Sequence, residues 1–223
     1  MDDFKNKITL ADCKDIMRLM PDKLVDLAIV DPPYGIDECM YRDKFETKLV
    51  PAKKYNTAVF KQQKPDQEYF NELMRISKNQ IIWGGNYFAD MLPSSRCWIV
   101  WKKNTSGVFA DAELAWTSFN SSVRVFEFTW NGMIQGYGGN KKKNEIRIHP
   151  TQKPVALYRW LLNNYGKPGD LILDTHSGSG SCAIGCHLEG FDFIAIEKDK
   201  DYWTDSIKRY DTECAQLKLF NVV

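Results

Sequence analysis

The stretch LILDTHSGSGSCAIGCHLEGFDFIAIE, residues 171–197, constrains the fold more than any other part of the chain. Two short apolar runs, LILD (171–174) and FDFIAIE (191–197), enclose a Gly-rich turn and a helix-length segment over 181–189. Neither run alternates cleanly between apolar and polar residues, so both faces of each strand have to be covered. Strands of that kind joined through a helix are parallel neighbours. The same grammar runs upstream. LVDLAIV (24–30) is a buried-strand run that ends at the sharp break DPPYG. Residues 66–78 have helical periodicity, with Phe70, Leu73, Met74 and Ser77 on one side and Asp66 as N-cap. QIIWGG (80–85) and CWIVWK (97–102) read as strands. AELAWTS and VRVFEFTW, around 112–130, read as two more, paired as a hairpin across Phe119–Ser122. PVALYRWLLNNYG (154–166) opens with Pro and closes with Gly, as helices do, and a last helix covers 200–215. The pattern predicts an α/β fold: a doubly wound, mostly parallel sheet with helices on both faces. One domain over 1–223 is expected, with patternless insertions at about 37–65 and 131–148, and stretches that long are usually functional.

Composition narrows the class. The 223 residues are 26% charged and 43% hydrophobic, close to the globular average, which excludes a disordered or fibrous chain. No apolar run approaches the ~20 residues that cross a bilayer, so no membrane partner is expected. The start, MDDFKNKITLADCKD, has no apolar signal core, which points to a cytoplasmic location. Six scattered cysteines form no CxxC pair and three histidines complete no zinc pattern, so reduced, mostly buried thiols and no metal are expected. A net charge of +1 hides two basic stretches. Residues 42–64 carry seven basic side chains against two acidic ones, and 131–153 carry five against one. Either run alone reads as a solvated loop. Two of them flanking a candidate site favour a polyanion such as nucleic acid.

Two segments carry chemistry. In Asp174-Thr175-His176-Ser177-Gly178-Ser179-Gly180 the glycines let backbone approach a ligand, and the following helix offers unpaired N–H groups. Glu197, 17 residues after Gly180, is placed to accept both hydroxyls of a ribose. Gly178-x-Gly180-x-x-Ala183 also fits the dinucleotide fingerprint of NAD enzymes, which keeps an NAD-dependent oxidoreductase open. Asp174 weighs against it, because a carboxylate there repels a pyrophosphate but suits the ammonium of an amino-acid-bearing cofactor. S-adenosylmethionine (SAM) has both a ribose and an α-ammonium.

The second segment is Asp31-Pro32-Pro33-Tyr34. Pro33 restricts Pro32 to extended geometry, and Pro32 has a fixed φ and no N–H. The pair aims a backbone carbonyl rigidly from the end of the strand, between a carboxylate and an aromatic ring. Two acceptors can hold the two hydrogens of an exocyclic amino group and free its lone pair. Tyr34 offers a face on which an extruded base stacks, a contact worth ~1–3 kcal/mol.

These residues, in this order, resemble the beta class of DNA amino-methyltransferases. LxxxDPPY at 27–34 precedes HPTQKP at 149–154, then DxxxGSG at 174–180, then Glu197. The resemblance implies a Rossmann-like methyltransferase sheet, SAM as cofactor and double-stranded DNA as partner. It assigns catalysis to Asp31, Pro32, Pro33 and Tyr34. It assigns cofactor contacts to Asp12, Cys13, Asp31, Thr151, Lys153, Asp174, His176, Ser177, Gly178, Ser179, Gly180 and Glu197. An Asp-first tetrad is more typical of adenine enzymes, so transfer to the adenine amino group in a specific DNA sequence, by base flipping and direct in-line attack, is the expectation. The cytosine amino group and a catalytically impaired DNA-binding relative are the alternatives. No Pro-Cys dipeptide occurs, which argues against ring-carbon cytosine chemistry. Departures from the family pattern are Thr175-His176, where Pro-Phe is common and where an aromatic side chain is expected to be lost, and Ala11, where Gly is usual. DNA contacts are expected from Lys44, Lys48, Lys53, Lys54, Lys141, Lys142, Lys143 and Arg147, with Arg147, Asn140 and Gln135 as candidate base readers. The recognition region, confined to 37–65 and 102–148, is short. That suggests a short target or a homodimer sharing the work, and a cognate restriction enzyme is the other partner such an enzyme admits.

Overall fold

The computed structural model describes residues 2–36, 64–104, 110–131, 134–136 and 144–220. Strand β1 (Lys7–Leu10) leads through α1 (Cys13–Leu19) to β2 (Val25–Val30). Helix α2 (Gln67–Ile76) runs directly into β3 (Ser77–Trp83), followed by β4 (Trp98–Lys102), β5 (Ala112–Thr117) and β6 (Arg124–Glu127). A two-stranded ribbon of β7 (Trp130–Asn131) and β8 (Ile134–Gln135) precedes α3 (Val155–Tyr165). The chain closes with β9 (Leu171–Asp174), α4 (Ser181–Glu189), β10 (Asp192–Glu197) and α5 (Lys200–Phe220).

Eight strands form one sheet in the order β1-β10-β9-β2-β3-β5-β4-β6. All neighbouring pairs are parallel except those that involve β5. The doubly wound expectation therefore holds. Leu27 and Ile29 of β2 face a cluster built with Leu157 and Leu161 of α3 and Cys182 and Ala183 of α4. Ala28 and Val30, one residue out of phase, face Met17 of α1 and Phe70 and Leu73 of α2. Each fully buried aliphatic side chain of this kind contributes ~1.5–3 kcal/mol of transfer free energy. Helix α2 starts at the expected cap: the Asp66 carboxylate accepts the Tyr69 amide at 3.0 Å. Ser77 is not on its inner face. It opens β3, and Tyr69 and Ile76 are buried instead.

The expected hairpin between AELAWTS and VRVFEFTW does not form. Strand β5 pairs antiparallel with β4 (Trp98 opposite Trp116), and β6 pairs parallel with the other side of β4 (Val100 opposite Val125). Burial explains the order. Ala115, Trp116 and Thr117 are buried and belong in the sheet interior beside β3, whereas β6 is mostly exposed and suits an edge.

Candidate functional site

Strands β2 and β9 are adjacent and parallel, with Leu27 opposite Ile172. From β2 the chain moves through α2 to β3 on one side; from β9 it moves through α4 to β10 on the other. This reversal opens a crevice at the carboxyl ends of the two strands, where ligands bind in sheets of this type. Asp31 follows β2 and Asp174 ends β9, so the two sequence-predicted segments meet there.

Around Asp31 the contacts are close. The Tyr34 hydroxyl donates to Asp31 Oδ1 at 2.6 Å, and Lys153 Nζ donates to Asp31 Oδ2 at 2.7 Å and to the Tyr34 hydroxyl at 3.0 Å. The Tyr34 ring stacks on Tyr87 at 5.0 Å and lies directly against Gly84. A Cβ on Gly84 would stand 2.2 Å from Tyr34 Cε1, and its φ of +69° is left-handed, so only glycine suits the position. Lys153 continues to Glu113 Oε2 at 2.9 Å, and the other Glu113 oxygen pairs with Lys103. Burial opposes ionisation of Glu113, but Lys153 and Lys103 overcome it and hold the carboxyl down to about 2. Glu113 escaped the sequence reading. Its signal was a lone acid within AELAWT, a run that otherwise reads as buried.

Across the crevice, the Asp174 carboxyl is 3% exposed and is pushed up to about 8, first by burial. It accepts the His176 amide at 3.1 Å and takes part in no salt bridge among the described residues. The Gly-rich turn is pinned by its backbone. Ser177 N–H donates to Ile196 O at 2.8 Å, and Gly178 N–H donates to Glu197 Oε2 at 2.7 Å. Glu197 Oε1 accepts the Asp199 amide at 2.8 Å, and burial raises its carboxyl pKa. Gly180 adopts φ +73° and caps α4. The Ser179 hydroxyl is engaged by Ser181 at 3.0 Å, whereas the buried Ser177 hydroxyl has no hydrogen-bond partner among the described residues.

Thr175 and His176 do not strip the site of a ring, which corrects that expectation. The His176 imidazole packs edge-on against Tyr69 at 5.5 Å, and Thr175 Oγ1 links the Tyr69 hydroxyl (2.7 Å) to His176 Nδ1 (2.9 Å). Burial drives the His176 pKa down to about 4, so the ring is neutral. Asp12 caps α1 through the Lys14 amide at 3.0 Å and pairs with Lys198 at 2.6 Å, which lowers its pKa. Burial pushes the adjacent Cys13 thiol up to about 12.

The HPTQKP segment reaches both halves of the crevice. Lys153 serves Asp31, and the His149 ring lies 3.6 Å from where a Cβ on Gly178 would stand. Thr151 is exposed, with its hydroxyl 3.2 Å from His149 Nδ1. Below it, Glu145 accepts the Val155 amide at 2.8 Å and pairs with buried Arg209 at 2.7 Å. Arg209 also donates to Ser179 O at 2.9 Å and Ser181 Oγ at 2.8 Å, which ties the segment to the Gly-rich turn.

Of the expected DNA contacts, Lys44, Lys48, Lys53, Lys54, Lys141, Lys142 and Lys143 lie outside the described residues, as does Asn140. Arg147 donates to Pro150 O at 2.8 Å and sits over the Trp130 ring. Gln135 is not a base reader here: its amide is buried and clamps the Glu145 backbone at 2.7 and 3.1 Å. Lys153, counted in the second basic run, is buried in the crevice and is no part of a surface patch. No His/Cys/Asp/Glu cluster able to hold a metal occurs among the described residues, and no helix there is long and apolar enough to cross a membrane.

Comparisons with known proteins bear on the fold and the family. "DNA adenine methyltransferase YhdJ" of Escherichia coli (strain K12) is 35% identical over 68 residues, which is 30% of this chain and 23% of that protein. The M1.HpyAVI–SAM complex superposes with a TM-score of 0.54 at 20% identity, covering 91% of this chain and 98% of its own. The PvuII DNA methyltransferase (cytosine-N4-specific) superposes with a TM-score of 0.58 at 15% identity, covering 91% and 85%. At such identities both structures speak for the fold. Residues 37–208, well over half of the sequence, match the family described as DNA methylase (N6_N4_Mtase), and the chain belongs to that family.

Proposed function

We propose that the protein transfers the methyl group of SAM to the exocyclic amino group of adenine in a specific sequence of double-stranded DNA. The observation that carries this reading is the meeting of Asp31 and Asp174 at neighbouring strand ends, one beside Tyr34 and a lysine, the other without a salt bridge. The residues fit SAM on two counts. Asp174 is a buried carboxylate short of a cation, which matches the α-ammonium, and the Ser177 hydroxyl is buried at the turn with no partner among the described residues. Asp12, Cys13, His176, Gly178 and Glu197 lie around the same strand ends. Bound SAM supplies an electrophilic methyl carried on a sulfonium.

The chain's own residues orient the acceptor. The second lone pairs of the Asp31 oxygens and the Pro32 carbonyl would hold the two amino hydrogens, and alignment of the nucleophile supplies much of the rate. A duplex base has to be extruded first, which costs a few kcal/mol and is offset by stacking and hydrogen bonds in the pocket. Adenine is favoured by the Asp-first tetrad and by the partial likeness to YhdJ. The cytosine amino group is the second reading, favoured by the likeness to the PvuII enzyme. Expression in a methylation-free host followed by modification-sensitive genome sequencing tests both. N6-methyladenine at one motif, lost with Asp31→Ala, is the expected result; N4-methylcytosine or an unmodified genome overturns it.

A further inference from the structure

Lys153 donates hydrogen bonds to Asp31 Oδ2 at 2.7 Å and to the Tyr34 hydroxyl at 3.0 Å, and its ammonium forms an ion pair with Glu113 Oε2 at 2.9 Å. The lysine is 4% exposed, and its ammonium also lies over the Trp83 ring. Glu113 is held in turn by Lys103 on its outer side. Two carboxylates and two ammonium groups therefore alternate from the crevice outward, and their charges cancel. Glu113 touches neither of the two motifs directly; it acts through Lys153.

We infer that Glu113 is a positioning residue for methyl transfer, which locks Lys153 against Asp31 and Tyr34 and keeps the surroundings of the acceptor nitrogen from becoming net positive. This rests on the methyltransferase reading. As the nitrogen–carbon bond forms and the carbon–sulfur bond breaks, its electron pair stays on sulfur, positive charge moves onto the amino nitrogen, and one N–H proton then leaves to water. A positive environment there raises the barrier. Two links of 2.9 and 2.7 Å join Glu113 to Asp31. A nitrogen bonded to Asp31 is then about 8 Å from Glu113. The charge that arrives there comes from the sulfonium about 4 Å away, so only the difference between the two positions counts, about 0.7 kcal/mol or about threefold in rate at an effective dielectric constant of ~20.

The test is single-turnover methyl transfer at saturating SAM and DNA, with SAM affinity and thermal melting measured beside it. Glu113→Gln, which keeps an acceptor for Lys153 but removes the charge, is expected to slow transfer about threefold with SAM affinity unchanged. Lys103→Gln removes a positive charge from the same chain of ions and is expected to raise the rate about twofold. Opposite signs are the signature, because a purely structural role lowers both. A Glu113→Gln rate equal to wild type, or a fall in both variants, overturns the inference. If Glu113→Gln fails to fold, Lys103→Gln decides alone: a raised rate supports the inference, and an unchanged or lowered rate overturns it. Absence of transfer by the wild-type protein to any DNA overturns the methyltransferase reading and this inference with it.

Discussion

The proposed pairing of Asp174 with the SAM ammonium predicts pH-dependent cofactor binding. The Asp174 carboxyl is pushed up to about 8 mainly by burial, with Asp31 and Glu197 adding to the rise. In the free protein the native state therefore holds a proton that the unfolded chain has released. Asp174 disfavours folding progressively as pH climbs from the ordinary carboxyl range towards 8. An ammonium ligand reverses the preference, because only the carboxylate can pair with it, so binding below pH 8 expels the proton. The ligand's own α-amino group, with an ordinary pKa of ~7.7–8.0, begins to lose its charge over the same range. Together the two titrations make SAM affinity rise about eightfold from pH 6 to pH 7 and about twentyfold from pH 6 to pH 8, with a maximum near 8. At pH 7 a net release of about 0.8 proton per SAM is expected. Calorimetry without DNA, in buffers of different ionisation enthalpy, measures both quantities. Asp174→Asn should flatten the profile below pH 7 and weaken binding at pH 8 by ~10–150-fold, the value of a charge-assisted hydrogen bond. A flat wild-type profile between pH 6 and 7 with no proton release refutes the assignment of the ammonium to Asp174.

Three further outcomes are expected. Gly84→Ala puts a Cβ 2.2 Å from Tyr34 at a left-handed φ, so Tyr34 has to move; methyl transfer should fall at least ~10-fold while SAM affinity stays within twofold, as filter binding and tritium transfer will show. Arg209→Ala strands buried Glu145 and frees the Ser179 carbonyl, and urea unfolding should show a loss of about 3–5 kcal/mol; a loss under 1 kcal/mol would mean the pair is solvated. Replacing Lys141, Lys142 and Lys143 by Gln should reduce the steepness of the log Kd against log salt plot for DNA by about 2.7, or about 0.9 per phosphate contact, and an unchanged slope removes this run from the DNA interface.

Local grammar made most of the sheet legible. The runs at 24–30, 80–85 and 171–174 are apolar on both faces, and the structure buries them on both. The helix at 155–165 starts behind Pro154 and stops at Gly166, as its end signals indicate. What failed was pairing. Nothing in AELAWTS or VRVFEFTW says that β4, earlier in the chain, will sit between them; that follows from which strand has more apolar surface to bury beside β3, a global competition. Strand β1 was silent for a related reason: KITL is four residues long and half-covered, and it earns its place only by pairing with β10 at the far end of the sequence. The site divides in the same way. Residues inside contiguous motifs were readable, because their spacing is local. Glu113 and Gly84 were not, since one serves a lysine 40 positions away and the other a tyrosine 50 positions earlier.

The two aspartates show how one crevice can treat the same functional group in opposite ways. Asp31 and Asp174 stand at the ends of adjacent strands, yet Lys153 lies within 2.7 Å of the first and forms no salt bridge with the second. Pro154 caps α3 immediately after the buried Lys153, whose ammonium is shared between Asp31 and Glu113, and Glu113 pairs in turn with Lys103. Asp174 is left with one backbone amide in a desolvated corner and takes up a proton when no ligand is present. In the proposed reaction this contrast assigns the ammonium to one carboxylate and the neutral amino group to the other. Removing the carboxyl tests that assignment: Asp174→Asn is expected to abolish net proton release on SAM binding below pH 7, and retained release in a folded variant would show that Asp174 is not the group that titrates.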